Sequence, residues 1–137
     1  MFTIIRGMPG SGKSTLAKEI EITGNAIRIE PDDFITKNGK YHYSPENWNN
    51  ACKACQEFLK ILFSLDPVPD IVYADVLPTK KDVDELLNIL RTANSGEPYK
   101  VIDMPLLTVE EARKKNIHNV RTEDLIRMYR TWEVWTP

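Results

Sequence analysis

Gly7-Met8-Pro9-Gly10-Ser11-Gly12-Lys13-Ser14 stands directly behind the apolar run Phe2-Thr3-Ile4-Ile5-Arg6 and decides how the rest of the chain is read. The octet fits the spacing G-x-x-x-x-G-K-[ST] without a gap. Its glycines permit backbone angles and close approaches that a Cβ would forbid. Successive N–H groups can then converge on one anion. A helix that opens at the end of the loop adds the positive end of its dipole. Lys13 is placed to reach the β- and γ-phosphates of a nucleoside triphosphate, the Ser14 hydroxyl to ligate Mg²⁺, and Thr15 to touch the α-phosphate. A plain glycine-rich turn between strand and helix requires neither the lysine nor the serine. The expected nucleotide-binding set is therefore Gly7, Met8, Pro9, Gly10, Ser11, Gly12, Lys13, Ser14 and Thr15.

Outward from this P-loop, short apolar runs alternate with amphipathic stretches, the pattern of an α/β fold on a parallel sheet. Phe2 to Arg6 reads as a buried first strand. A helix is expected from Lys13 to about Thr23, with Leu16, Ala17 and Ile20 on one face and Gly24-Asn25 at its end. Ala26 to Glu30 reads as the second strand, stopped by Pro31. Asn38-Gly39 marks a turn in a polar loop. Ser44 caps a long core helix with Pro45 in its first position. Trp48, Ala51, Cys52, Cys55, Phe58, Leu59, Leu62 and Phe63 recur there at helical spacing. Asp70 to Asp75 is a third strand. Thr79 caps a helix whose inner face is Val83, Leu86, Leu87 and Leu90. Asn94-Ser95-Gly96 is a turn, and Tyr99 to Asp103 is a fourth strand. Thr108 and Glu111 form a capping box at the head of a charged helix that ends near Asn116. Thr122 is expected to cap a last helix, with Leu125, Tyr129 and Trp132 inside and Trp135 packed nearby.

The 137 residues suit one domain spanning 1–137. With 42% hydrophobic and 28% charged residues, the composition is that of a globular protein. A formal net charge of -2 argues against a broad nucleic-acid-binding face. No run approaches the ~20 apolar residues of a membrane span, and the N-terminus has no charged leader. The two cysteines, Cys52 and Cys55, form one C-x-x-C. A structural zinc site takes about four ligands, and only His42 and His118 could complete one. The pair lies in an apolar helical pattern, so both read as core cysteines, and a reducing cytoplasm fits them.

Glu30-Pro31-Asp32-Asp33-Phe34 follows the second strand directly. Ligands of open α/β sheets sit beyond the carboxyl ends of the strands, so Asp32 can take a proton from an attacking hydroxyl. The alternative is an Asp N-cap on a short helix starting near Phe34.

Gly7 through Lys18, then Asp32-Asp33-Phe34, resemble the polynucleotide 5′-hydroxyl kinase family and its AAA-type P-loop kinase relatives. Asn38-Gly39-Lys40-Tyr41 resembles a loop of one branch. So do Asn116-Ile117-His118-Asn119-Val120, Leu125-Ile126-Arg127-Met128-Tyr129 and Trp132-Glu133. The resemblance implies a three-layer P-loop NTPase fold with four or five parallel strands, the first strand central and beside the third, and a short helical lid. It implies γ-phosphoryl transfer from ATP to a hydroxyl, with Asp32 as base. It also implies a lid helix from Val109 to Asn116 whose Arg113, Lys114 and Lys115 lie over the phosphates, or else form a solvated charged face. Lys13, Asp32 and Arg113 are thus the expected catalytic residues.

Three departures stand against the family pattern. Ala74-Asp75-Val76-Leu77 occupies the place of Asp-x-Thr-Asn, leaving Asp75 as a metal-facing carboxylate beside Ser14 or as a plain strand-end acid. Ile35 stands where the polynucleotide kinases carry an Arg, with Lys37 the nearest cation. His118 and Asn119 replace the second Arg of the lid. The acceptor remains open between a nucleic-acid 5′ end and a small hydroxyl compound, and a nucleotide-binding module with little turnover is a third reading.

Overall fold

The computed structural model describes residues 1–94, 96–115 and 120–137. Strands β1 (Phe2–Arg6), β2 (Ile27–Ile29), β5 (Ile71–Asp75) and β6 (Tyr99–Asp103) form a parallel sheet in the order β2-β5-β1-β6. The first strand is central and pairs on one side with β5, as the resemblance implied, Arg6 lying level with Asp75. On its other side it pairs with β6, Arg6 level with Asp103.

Side chains alternate across a strand, and both faces of this sheet are covered. Phe2, Ile4, Ile71 and Tyr73 face helices α3 (Pro45–Phe63) and α4 (Lys80–Ala93), where they pack on Cys55, Leu59, Leu62, Phe63, Val83 and Leu87. Phe2 and Phe63 meet edge to face with centroids 5.0 Å apart, a geometry that adds to their area burial. Ile5, Val72 and Ala74 face the other way, onto Ala17, Leu16 and Ile20 of α1 (Lys13–Gly24). The result is the expected three-layer α/β arrangement, with four parallel strands.

The caps explain the helix boundaries. Asn25, at φ 50°, ends α1. The Ser44 hydroxyl accepts from Asn47 N with Pro45 behind it, as expected of that pair. Thr79 and Asp82 close a capping box on α4, and Thr108 and Glu111 close the expected one on α5 (Val109–Lys114).

Four local differences have physical causes. Strand β2 is shorter than Ala26 to Glu30, because Ala26 N donates back to Glu21 O at 3.2 Å and Glu30 becomes the N-cap of α2 (Pro31–Phe34). The polar loop around Asn38-Gly39 is a hairpin, β3 (Thr36–Lys37) against β4 (Lys40–Tyr41). Its two central residues hold φ 53° and 76°, the positive angles of a tight hairpin turn. The last helix, α6 (Thr122–Thr131), takes Arg121 as its N-cap, not Thr122. Its inner face is Leu125, Met128 and Trp132, packed on Met8, Leu107 and Ala112, while Tyr129 points to solvent. Trp135 packs on Tyr99 and donates to Asp84 Oδ1 at 3.1 Å. The readings that fall on Ser95 and on 116–119 lie outside the described residues. Among the described residues no helix is long and apolar enough to cross a membrane.

Candidate active site

The loop from Gly7 to Gly12 connects β1 to α1 at the carboxyl edge of the sheet. Gly10 and Gly12 hold φ 82° and 93°, conformations that favour glycine. Gly7 is required for a different reason: a Cβ there would lie 2.3 Å from Ser11 Oγ. Gly12 caps α1 with no side-chain bond, which leaves the helix N-terminus to its ligand. Pro9, Gly10, Gly12, Lys13, Ser14 and Thr15 line one cavity of about 730 Å³. Gly7, Met8 and Ser11 do not line it. Met8 has its side chain fully buried against α5 and α6, and offers its carbonyl, which accepts from Lys13 Nζ at 3.2 Å. Burial depresses the Lys13 ammonium, and Asp75, Asp32 and Glu30 oppose that shift.

Ser14 does not stand alone. Its hydroxyl donates to Glu30 Oε1 at 2.5 Å, and the other oxygen of Glu30 accepts from Arg28. Arg28 reaches Asp33 Oδ2 at 2.8 Å and Glu21 Oε1 at 3.3 Å as well. Burial disfavours its charge, but the three carboxylates hold its proton more tightly than usual. Glu30 is buried, and this network fixes which way its carboxylate turns. Sequence reading gave Glu30 no role, although a Glu at the end of a buried strand is the kind of residue that needs a partner.

Asp32 sits inside the first turn of α2, whose N-cap is Glu30. It lines the cavity, and Tyr41 Oη donates to its Oδ1 at 2.9 Å. The β3–β4 hairpin delivers that hydroxyl. Asp75 lines the same cavity from the end of β5 and accepts from its neighbour's Val76 N at 2.8 Å. Burial, followed by the nearby Asp32 charge, pushes its carboxyl up to about 7. Lys13, Ser14, Asp32 and Asp75 therefore line one cavity.

Arg113 does not. It is exposed and its Nη2 donates to both oxygens of Glu110, at 3.0 and 2.8 Å. An i, i+3 partner on the same helix holds it away from the cavity. Lys114 also leans toward Glu110, at 4.0 Å. Among the described residues, the cations that line the cavity outside the P-loop are Lys115, Arg121 and Arg127. Lys115 packs against the loop itself: a Cβ on Gly10 would lie 2.6 Å from Lys115 Cβ. Arg121 and Arg127 both bind the buried Asp124, at 3.2 and 3.0 Å. The spacing was the available signal, since Asp124, Arg127, Met128 and Thr131 fall on one face of α6 and Arg121 is its N-cap.

Arg6 holds this assembly together. It is fully buried, and donates to Leu77 O at 3.1 Å, Pro78 O at 3.1 Å and Glu133 O at 2.9 Å. Its guanidinium lies 4.5 Å from the centre of the Trp132 ring. The central strand is thereby tied to the turn behind β5 and to the end of α6. Of the two cysteines, Cys55 is buried as expected, while Cys52 is half-buried on the cavity wall; both are free and burial pushes both thiols up to about 12.

A chain from the structure of the Pnkp1/Rnl/Hen1 RNA repair complex superposes with a TM-score of 0.73 at 19% identity, covering 95% of this chain and 43% of that one. A gluconokinase from Sinorhizobium meliloti 1021 superposes at 0.57 and 17% identity, over 96% of this chain and 74% of that one. This chain has a P-loop kinase fold. In sequence, the uncharacterized protein PM0531 of Pasteurella multocida (strain Pm70) is 38% identical over 63 residues, which is 41% of this chain and 35% of that protein. The chain thus spans about a third of that relative and under half of the RNA repair chain. No family model matches it.

Proposed function

We propose that this P-loop kinase fold transfers the γ-phosphoryl group of ATP to the hydroxyl of an acceptor bound in the same cavity, with residues 1–137 acting as one domain. The observation that carries the proposal is the convergence of the glycine loop, Lys13, Ser14, Asp32 and Asp75 on one space of about 730 Å³. That volume is in the range that holds small-molecule ligands.

The loop N–H groups and Lys13 grip the β- and γ-phosphates. Asp32 accepts the acceptor's hydroxyl proton as the new O–Pγ bond forms and the bond from Pγ to the bridging oxygen breaks, releasing ADP. Tyr41, by donating to Oδ1 of Asp32, helps to hold that carboxylate in the cavity. Arg121 and Arg127 spread positive charge over the transferring group, the role first assigned to Arg113. Among the described residues no group of three or more His, Cys, Asp or Glu could hold a metal ion by themselves. That suits Mg²⁺, which takes one or two protein ligands and completes its shell with phosphates and water. Ser14 is the candidate ligand: its proton is committed to Glu30, so its lone pairs face outward. Asp75 is the second candidate, reaching through water. When bound, Mg²⁺ would neutralise charge on the phosphates.

The free cysteines support a reducing compartment such as the cytoplasm. The likeness to an RNA repair chain supports a nucleic-acid 5′-hydroxyl as acceptor; the partly enclosed cavity supports a small hydroxyl compound. The direct test is transfer of labelled γ-phosphate from Mg·ATP to both kinds of acceptor, with Lys13→Ala as control. Transfer that falls about 10²–10³-fold in Lys13→Ala, together with weaker ATP binding, is the expected result. Transfer unaffected by Lys13→Ala would overturn the assignment.

A further inference from the structure

The cavity is not lined evenly. Among the described residues its cations come from the P-loop and the lid side: Lys13, Lys115, Arg121 and Arg127. The opposite wall is built by the exit of the hairpin, α3, β5 and α4. It presents Tyr41 and Tyr43, Trp48 and Gln56, and the carboxylates of Asp82 and Glu85, with no lysine or arginine. The nearest cation after the Asp pair, Lys37, lines a separate recess with Phe34, Ile35 and His42. Ile35 itself is buried, so that position also offers nothing to a substrate phosphate.

Resting on the phosphotransfer reading above, we infer that the acceptor is a small hydroxyl compound that is neutral or positively charged, held against the α3–α4 wall, and not a nucleic-acid 5′ end. Three physical points carry it. A nucleic-acid end brings its own backbone phosphates, which need cations near the acceptor hydroxyl, and among the described residues this wall supplies none of its own, with Arg121 of the lid in electrostatic reach of Tyr43. Like charges brought together in a partly enclosed site cost several-fold to many-fold in affinity. One oxygen of Asp82 is committed to Thr79, accepting from its N at 3.0 Å and its Oγ1 at 2.8 Å. Glu85 has no such commitment among the described residues, and it stands at the exposed end of the wall. Aromatic faces beside carboxylates attract cations and stack on neutral rings, and Tyr41 and Tyr43 already lie 6.3 Å apart, centre to centre. The arginines of the lid do not reverse the balance, because in the phosphotransfer reading they serve the transferring phosphoryl group and not the acceptor.

The test is phosphoryl transfer from Mg·ATP to matched sugars, polyols and nucleosides, each in neutral, amino and acid form, beside a 5′-hydroxyl oligonucleotide. The expected result is a kcat/KM for neutral or amino forms at least about tenfold above their acid forms, with no transfer to the oligonucleotide. In Glu85→Gln, the KM of an amino-bearing acceptor should rise about fivefold, roughly one partly screened charge pair, while the KM for ATP stays unchanged. A preference for acid forms or for the oligonucleotide would overturn the inference and leave the phosphotransfer reading intact. Failure to phosphorylate any of them, with Mg·ATP still bound, would also overturn it. Failure of Mg·ATP to bind would remove the phosphotransfer reading as well.

Discussion

The P-loop and helix α6 offer positive charge to the same cavity by different means. The loop does it with backbone. Gly10 and Gly12 sit at φ 82° and 93°, α1 starts on the next residue, and the one cation, Lys13, is held by a main-chain carbonyl. These are covalent and steric constraints, and salt does not screen them. Helix α6 does it with side chains. Arg121 and Arg127 are 73% and 64% exposed and both lean on Asp124. Exposed ion pairs are worth about 0–1 kcal/mol each, so the arginines can leave Asp124 for a phosphate at small cost. The loop is a fixed receptor, whereas α6 is an adjustable cover pinned at its far end by Arg6 and Trp132.

The largest effect that sharpens this contrast should come from the cover. Arg127→Ala is expected to lower kcat about 10²-fold, while Arg113→Ala stays within about twofold, because Glu110 already holds that side chain away from the cavity. Steady-state kinetics of the two variants decide it; equal losses would return the lid role to α5. A smaller effect is expected where the two regions touch. Gly10→Ala places a methyl against Lys115 and forces a left-handed conformation on a residue with a Cβ, a cost of roughly 1–2 kcal/mol in stability. Denaturant unfolding measures it, and a neutral result would mean that the loop and Lys115 are not in register as described.

The smallest effect concerns pH. Asp75, with its carboxyl pushed up to about 7, binds a proton in the folded protein that the unfolded chain has already lost. Its contribution to stability is therefore full below about pH 4, the ordinary Asp range, and is lost as pH rises through about 7. Asp75→Asn should flatten that decline and raise the melting temperature above neutrality by a few degrees. An unchanged pH profile in the variant would show that Asp75 is ionised throughout.

Much of this was legible in the chain. The octet Gly7 to Ser14 is a local pattern whose geometry follows from glycine stereochemistry, and the strands and capped helices around it follow from hydrophobic period and cap chemistry. Asp32 and Asp75 were legible because strand ends face the ligand in such sheets. The partners of these residues were less so. Glu30 on Ser14 and Tyr41 on Asp32 bridge segments separated by 16 and 9 residues, and only the packing of β2 and the hairpin brings them together. Arg113 was named from the lid helix that the resemblance implied, and only the packing of the helices shows that Arg121 and Arg127 line the cavity. Arg6 read as one more strand residue, since nothing local announces that a guanidinium will be buried under three carbonyls.

The central claim is that the cradle and the base are separable: the loop binds the nucleotide and Asp32 serves only the transfer. The most direct measurement compares Mg·ATP affinity and γ-phosphate transfer in the wild-type protein and in Asp32→Asn, using the best acceptor of the panel. The account predicts an unchanged affinity with transfer lowered by about 10²–10⁴-fold. Affinity and transfer falling together would contradict it, and would make Asp32 a part of the nucleotide or metal site instead of the base.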